Sequence, residues 1–156
     1  MAQSTAFDEF KQGVNLLRNQ CPTEALDHIR RAVEQEADNP YYLSYFGLAV
    51  AMARRQWANA EQLCEKAVKM KRNQPQLYLN LAEVYRRSGR RGDAADTLRT
   101  GLLYTGRAPI LEQALGKLRH RRSPTLRFLG RDHRINRSLG RVRERLAQIW
   151  GPEEKA

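Results

Sequence analysis

The side chains most often recruited for catalysis or metal binding are few and scattered in this chain. His28, His120 and His133 lie far apart, and none has Cys or carboxylates beside it at metal-ligand spacing. They read as surface histidines, and no metal site is expected. Cys64 occupies an apolar position and reads as a buried thiol, whereas Cys21 precedes Pro22 at a turn; neither has a C-x-x-C partner. The glycines of RSGRRGD, Gly89 and Gly92, are assigned to a turn between helices, because the segment lacks the preceding strand, the Lys and the Ser or Thr of a phosphate loop. No Ser, His and acid set is visible either. The expectation is a protein that is not an enzyme and holds no cofactor.

Arginine is the one functional side chain in excess. The 156 residues carry 28 Lys and Arg against 17 Asp and Glu, a net charge of +11, so anionic partners need weighing. The excess is uneven: residues 1–106 hold 15 basic and 12 acidic side chains, whereas residues 107–156 hold 13 and 5. In the C-terminal segment Asp132 suits an N-cap and Gly151-Pro152 a stop, which predicts a helix over 133–150. Ile135, Leu139, Val142, Leu146 and Ile149 would form one apolar stripe on a cylinder bearing Arg134, Arg137, Arg141, Arg143 and Arg145, after a linker over 122–132 that carries Arg127 and Arg131.

Three roles suit this basic tail. It docks by its apolar stripe on the rest of the chain, and in its own binding groove it would regulate access of a partner. It binds nucleic-acid phosphates, an alternative that is not favoured because Phe128 and Trp150 are too few for a stacking platform and no zinc-finger or helix-turn-helix spacing appears. Or it binds an acidic protein or an anionic membrane face. Two Cys exclude a disulfide scaffold, and no apolar run reaches membrane-spanning length. The N-terminal MAQSTAFDEF has no basic stretch followed by an apolar one, so the expected compartment is the cytoplasm.

The elements that must position any binding residue repeat with a period of about 34. Ala6 to Asn39, Pro40 to Gln74 and Pro75 to Ala108 align with the same residue types recurring. In the first helix of each unit a small residue precedes an apolar one by a turn: Gly13 and Leu16, Gly47 and Val50, Ala82 and Tyr85. In the second, Ala25, Ile29 and Ala32 correspond to Ala60, Cys64 and Ala67, and to Ala94, Leu98 and Gly101. Small side chains let two helices approach, and the apolar ones between them fill the remaining space. Pro40, Pro75 and Pro109 each suit the first position of a helix. Pro109 opens a seventh, over 108–121, whose stripe of Ile110, Leu111, Ala114, Leu115 and Leu118 would cap the last repeat.

Over about residues 6–108 this pattern resembles the tetratricopeptide repeat family, best in the third copy at Tyr78, Leu81, Ala82, Tyr85, Gly89, Ala94, Leu98 and Gly101. The fold class expected is therefore all-α: a helical solenoid of three repeats (6–39, 40–74 and 75–108) with its cap, followed by the basic amphipathic helix. There are departures. Glu9 stands where a bulky aromatic is usual and Gln12 where Leu is usual, which predicts a frayed opening turn in the first repeat, and the second repeat is a residue longer in the turn around ARRQWANA.

The resemblance also implies a concave groove, lined by the first helix of each unit, that receives a peptide or a helix of another protein. Its lining would be Phe7, Phe10, Val14, Leu17, Tyr41, Tyr45, Leu48 and Met52, grading into Asn80, Glu83, Arg86 and Arg87. Such a surface suits an apolar segment with an acidic group held by Arg86 and Arg87. Phe10 and Val14 stand where the family's co-chaperones place the Lys and Asn that clamp a C-terminal carboxylate, so that use is set aside.

Overall fold

The computed structural model describes residues 5–120, and these are all-helical. Seven helices follow one another: α1 (Ala6–Arg18), α2 (Pro22–Gln35), α3 (Pro40–Arg54), α4 (Trp57–Met70), α5 (Pro75–Arg87), α6 (Arg91–Tyr104) and α7 (Pro109–His120). Proline opens α2, α3, α5 and α7, where its missing N–H costs nothing and its fixed φ already suits a helix. Side-chain caps secure the start of α1 and reinforce that of α3: Thr5 accepts from the Asp8 N–H at 3.2 Å, and Asn39 accepts from the Tyr41 N–H at 3.1 Å.

α1 with α2, α3 with α4, and α5 with α6 form antiparallel hairpins, and α3 and α5 also pack against their neighbours in the adjoining hairpins. Each hairpin turns through a residue of left-handed backbone, Gln20 at φ 63, Arg55 at φ 55 and Gly89 at φ 86. Only the third uses the residue type that takes this conformation without steric cost. The extra residue of the second repeat is not in its turn: α3 has 15 residues against 13 in α1 and α5. The connector at residues 55–56 is correspondingly shorter than those at 19–21 and 88–90. Gly92, expected in a turn, instead lies in the first turn of α6.

The small residues set the interhelical distance. A Cβ on Gly47 would lie 2.7 Å from the Cys64 sulfur and 2.8 Å from the Ala60 carbonyl oxygen, closer than packed atoms approach. Ala25, Ala32, Ala60, Ala67 and Ala94 are completely enclosed on the facing helices. Burial pushes the Cys64 thiol up to about 12, and its sulfur donates weakly to the Ser44 carbonyl at 3.3 Å. In α7, Leu111 is fully buried at the end of this core and approaches Gly101 of α6, whereas Ile110 is 49% exposed and leaves the expected apolar stripe.

The opening turn of α1 is helical from Ala6 onward, because Glu9 is not a misplaced surface residue. It is buried, and its carboxylate meets His28 Nδ1 at 2.7 Å and an Arg31 guanidinium nitrogen at 3.5 Å. The predicted surface histidine at 28 is thus a half-buried partner. No helix among the described residues is long and apolar enough to cross a membrane. The linker over 122–132 and the helix over 133–150, with Arg127, Arg131, Arg134, Arg137, Arg141, Arg143 and Arg145, lie outside the described residues.

Candidate peptide-binding face

At about 100° per residue, Phe7, Phe10 and Val14 share one stripe of α1, and Tyr41, Tyr45, Leu48 and Met52 share one stripe of α3. The two stripes meet through aromatic contacts. The Phe10 and Tyr45 rings are 5.2 Å apart in an edge-on arrangement at 83°, and Phe10 also packs at 4.6 Å on the buried ring of Tyr42. Edge-to-face pairs of this kind add about 0.5–1.5 kcal/mol beyond the area they bury. Burial pushes the Tyr45 phenol up, and the nearby Arg18 charge opposes that shift.

Phe7 is 62% exposed at one end of the stripe, and Val14, Tyr45 and Met52 are half-buried. Leu17, Leu48 and Asn80 are buried, so their side chains serve the core. The reason is steric: the first helices of successive hairpins pack side by side, and residues on the flank of a stripe become enclosed between them. Tyr41 is held at the α2–α3 corner, where its hydroxyl donates to Gln74 Oε1 and the Lys71 ammonium lies 5.8 Å from its ring centre.

The third hairpin presents a polar stretch built on one stripe of α5. Gln76 donates to Asn80 Oδ1 at 2.8 Å, and Asn80 donates to the buried Ser44 hydroxyl at 3.1 Å, joining α5 to α3. Neither Ser44 nor Gln76 stood out in the sequence, where isolated polar residues on apolar helices carry no periodic signal. Further along, Glu83 accepts two bonds from Arg86 at 2.6 Å each and one from Arg87 at 2.7 Å. Burial alone would raise the Glu83 carboxyl, but the bonds and charges of Arg86 and Arg87 outweigh it and hold the group below the usual range. The basic patch is therefore a shared cluster of two guanidinium groups and one carboxylate.

Among the described residues no group of three or more His, Cys, Asp and Glu is placed to hold a metal ion. What the face offers is apolar and aromatic area at one end and a partly neutralised pair of arginines at the other.

Residues 51–118 match the sequence model of the tetratricopeptide repeat family. No curated protein matches the sequence. Solved structures similar in fold include the following three. The first tetratricopeptide domain of Spaghetti (RPAP3), bound to an HSP90 peptide, is 17% identical with a TM-score of 0.59 over 74% of this chain and 94% of that one. The OM64 tetratricopeptide domain of Arabidopsis is 19% identical with a TM-score of 0.60 over 74% and 95%. PcrH, in complex with the chaperone binding region of PopB, is 15% identical with a TM-score of 0.58 over 77% and 96%. At such identities the likeness is one of fold.

Proposed function

Because this chain is a tetratricopeptide-repeat protein, we propose that it is a non-catalytic interaction module that receives an apolar helix or extended peptide of another protein along α1, α3 and α5. One observation carries this reading: the edge-on contact of Phe10 and Tyr45 joins the stripes of two first helices into a continuous aromatic surface flanked by half-buried Val14 and Met52. Burying such a surface contributes about 25 cal/mol per Å². The fold neighbours solved with an HSP90 peptide and with a segment of PopB support a peptide as the occupant. Phe10 and Val14 offer no charge to a terminal carboxylate, so an apolar side chain is the expected anchor. At the other end, Arg86 and Arg87 would hold an acidic group of the peptide by exchanging bonds with Glu83.

The test is selection of peptides from a random library on the full chain, followed by backbone-amide NMR mapping of the peptide that binds best. Shifts should centre on Phe10, Val14, Tyr45 and Met52, and Val14→Lys should weaken binding by about tenfold or more while leaving the helical circular dichroism intact. Selection that yields only peptides mapping elsewhere refutes the reading.

A second reading rests on the arginines between 127 and 145, which are known from the sequence alone. If they bind nucleic acid, affinity for a duplex should fall steeply between about 50 and 200 mM salt and vanish when residues 123–156 are removed. A flat salt response excludes it.

A further inference from the structure

The three first helices end alike. Arg18 closes α1, Arg54 and Arg55 close α3, and Arg86 and Arg87 close α5. Because α1, α3 and α5 run in the same direction, these ends and the three hairpin turns fall on one edge of the repeats. A cation at a helix C-terminus complements the dipole of its own helix, but that does not explain the edge: the last turns of α2, α4 and α6, which end on the opposite edge, carry a single cation, Lys69. Residues 17–25, 53–60 and 86–94 hold seven arginines against two carboxylates, and the rest of residues 5–120 balance at eleven cations and eleven anions. The net charge of the described residues thus sits on this edge. α2, α4 and α6 also begin there, none with a side-chain cap, so the positive ends of three helices add to it.

Four of the seven arginines are engaged. Arg86 and Arg87 share Glu83, Arg90 pairs with Glu61 and Asp93, and Arg91 donates to the Leu118 carbonyl oxygen at 2.6 Å. Arg18, Arg54 and Arg55 are exposed and have no ion pair among the described residues. Arg55 also holds φ 55, a backbone conformation that glycine takes without strain, so the chain keeps a guanidinium here against its local preference.

We propose that the hairpin-turn edge receives an extended acidic peptide of a partner protein, whose carboxylates are taken by Arg18, Arg54 and Arg55. The site borders the apolar face and does not rest on it. Packed helices lie about 8–10 Å apart, and an extended chain covers about 10 Å in three residues, so acidic side chains three residues apart match arginines on successive first helices. A guanidinium takes a carboxylate through a planar fork, as Arg86 does with both oxygens of Glu83 at 2.6 Å on this same edge. Single-stranded nucleic acid fits less well, because Trp57 is the sole aromatic side chain of these three segments and is half-buried, which leaves no platform for stacked bases.

The probe is acetyl-(Glu-Ser-Gly)4-amide, titrated into the full chain at about 50 mM salt and followed by backbone-amide NMR. A peptide with glutamine in place of every glutamate and an oligothymidylate of equal charge serve as controls. Shifts should gather at Arg18, Arg54, Arg55 and Gln56, the glutamine peptide should bind about tenfold more weakly or not at all, and affinity should fall several-fold by about 200 mM salt. Arg55→Gly should weaken binding about threefold without lowering the thermal midpoint, and adding Arg18→Gln and Arg54→Gln should bring the loss to about tenfold or more. Shifts at Val14, Tyr45 and Met52 instead, shifts confined to residues 121–156, equal binding of the glutamine peptide, tighter binding of the oligothymidylate, or no shifts at all overturn the proposal. The probe has no apolar side chain, so this result stands or falls apart from the apolar face.

Discussion

His28 Nδ1 lies 2.7 Å from a carboxylate oxygen of Glu9 and ties α2 to α1 inside the first hairpin. Glu9 occupies the repeat position that is Leu43 in the second hairpin and Tyr78 in the third, and all three are buried. One structural slot is thus filled by a hydrogen-bonded carboxylate, an aliphatic side chain and an aromatic ring. His28 and Arg31 approach the buried carboxylate and offset the cost of taking it out of water.

Removing one partner should therefore cost more than replacing the pair. His28→Ala is expected to destabilise the fold by about 1–3 kcal/mol, and Glu9→Leu together with His28→Ala to recover most of that loss, since apolar replacements of buried pairs are often neutral or better. Urea unfolding of the two variants checks this. A double variant less stable than the single one contradicts it.

Gly47→Ala should destabilise by about 1–3 kcal/mol, because the new methyl meets a backbone carbonyl that cannot rotate away. An unchanged thermal midpoint would show that α3 and α4 separate freely.

Arg55→Gly is expected to stabilise by roughly 0.5–1 kcal/mol, since Arg55 holds φ 55 at the end of α3 without any steric allowance for it. The measurement is the denaturant midpoint at constant m-value, and a lower midpoint is the contrary result.

The two thiols should differ in reactivity. At pH 8 the native chain is expected to titrate one thiol rapidly, Cys21, while Cys64, enclosed and pushed up to about 12, reacts only after unfolding. Two fast thiols in the native protein would place Cys64 at the surface.

Tyr85 gives a pH dependence of definite sign. Burial, then the bond to Glu61 and the charges of Glu61 and Glu65, raise its phenol well above the ordinary value near 10. The unfolded chain loses that proton first, so the stabilisation is complete below about pH 10 and declines as pH rises toward the folded value. Tyr85→Phe should flatten the decline in alkaline unfolding curves; an identical slope refutes it.

The fold class was legible because its signal is collective. Gly13, Gly47 and Ala82 against Ala25, Ala60 and Ala94 recur with one period, and no single one of them had to be interpreted correctly. Glu9 broke the pattern, and its consequence was misread as fraying because its partner, His28, is on another helix and carries no local mark. The candidate face was legible as stripes of residues but not as a surface. Whether Leu17 or Leu48 is open or enclosed depends on how closely α1, α3 and α5 approach one another, which the types at those positions do not encode. The neutralisation of Arg86 and Arg87 by Glu83 was implicit in their i,i+3 and i,i+4 spacing.

The lengthened α3 and its two-residue connector make the hairpins unequal parts. A gene in which the second hairpin was exchanged with the first or third would encode units of nearly the right length and pattern, yet the swapped edges would meet out of step. Order along the chain is itself structural information here, because each unit is fitted to its own neighbours.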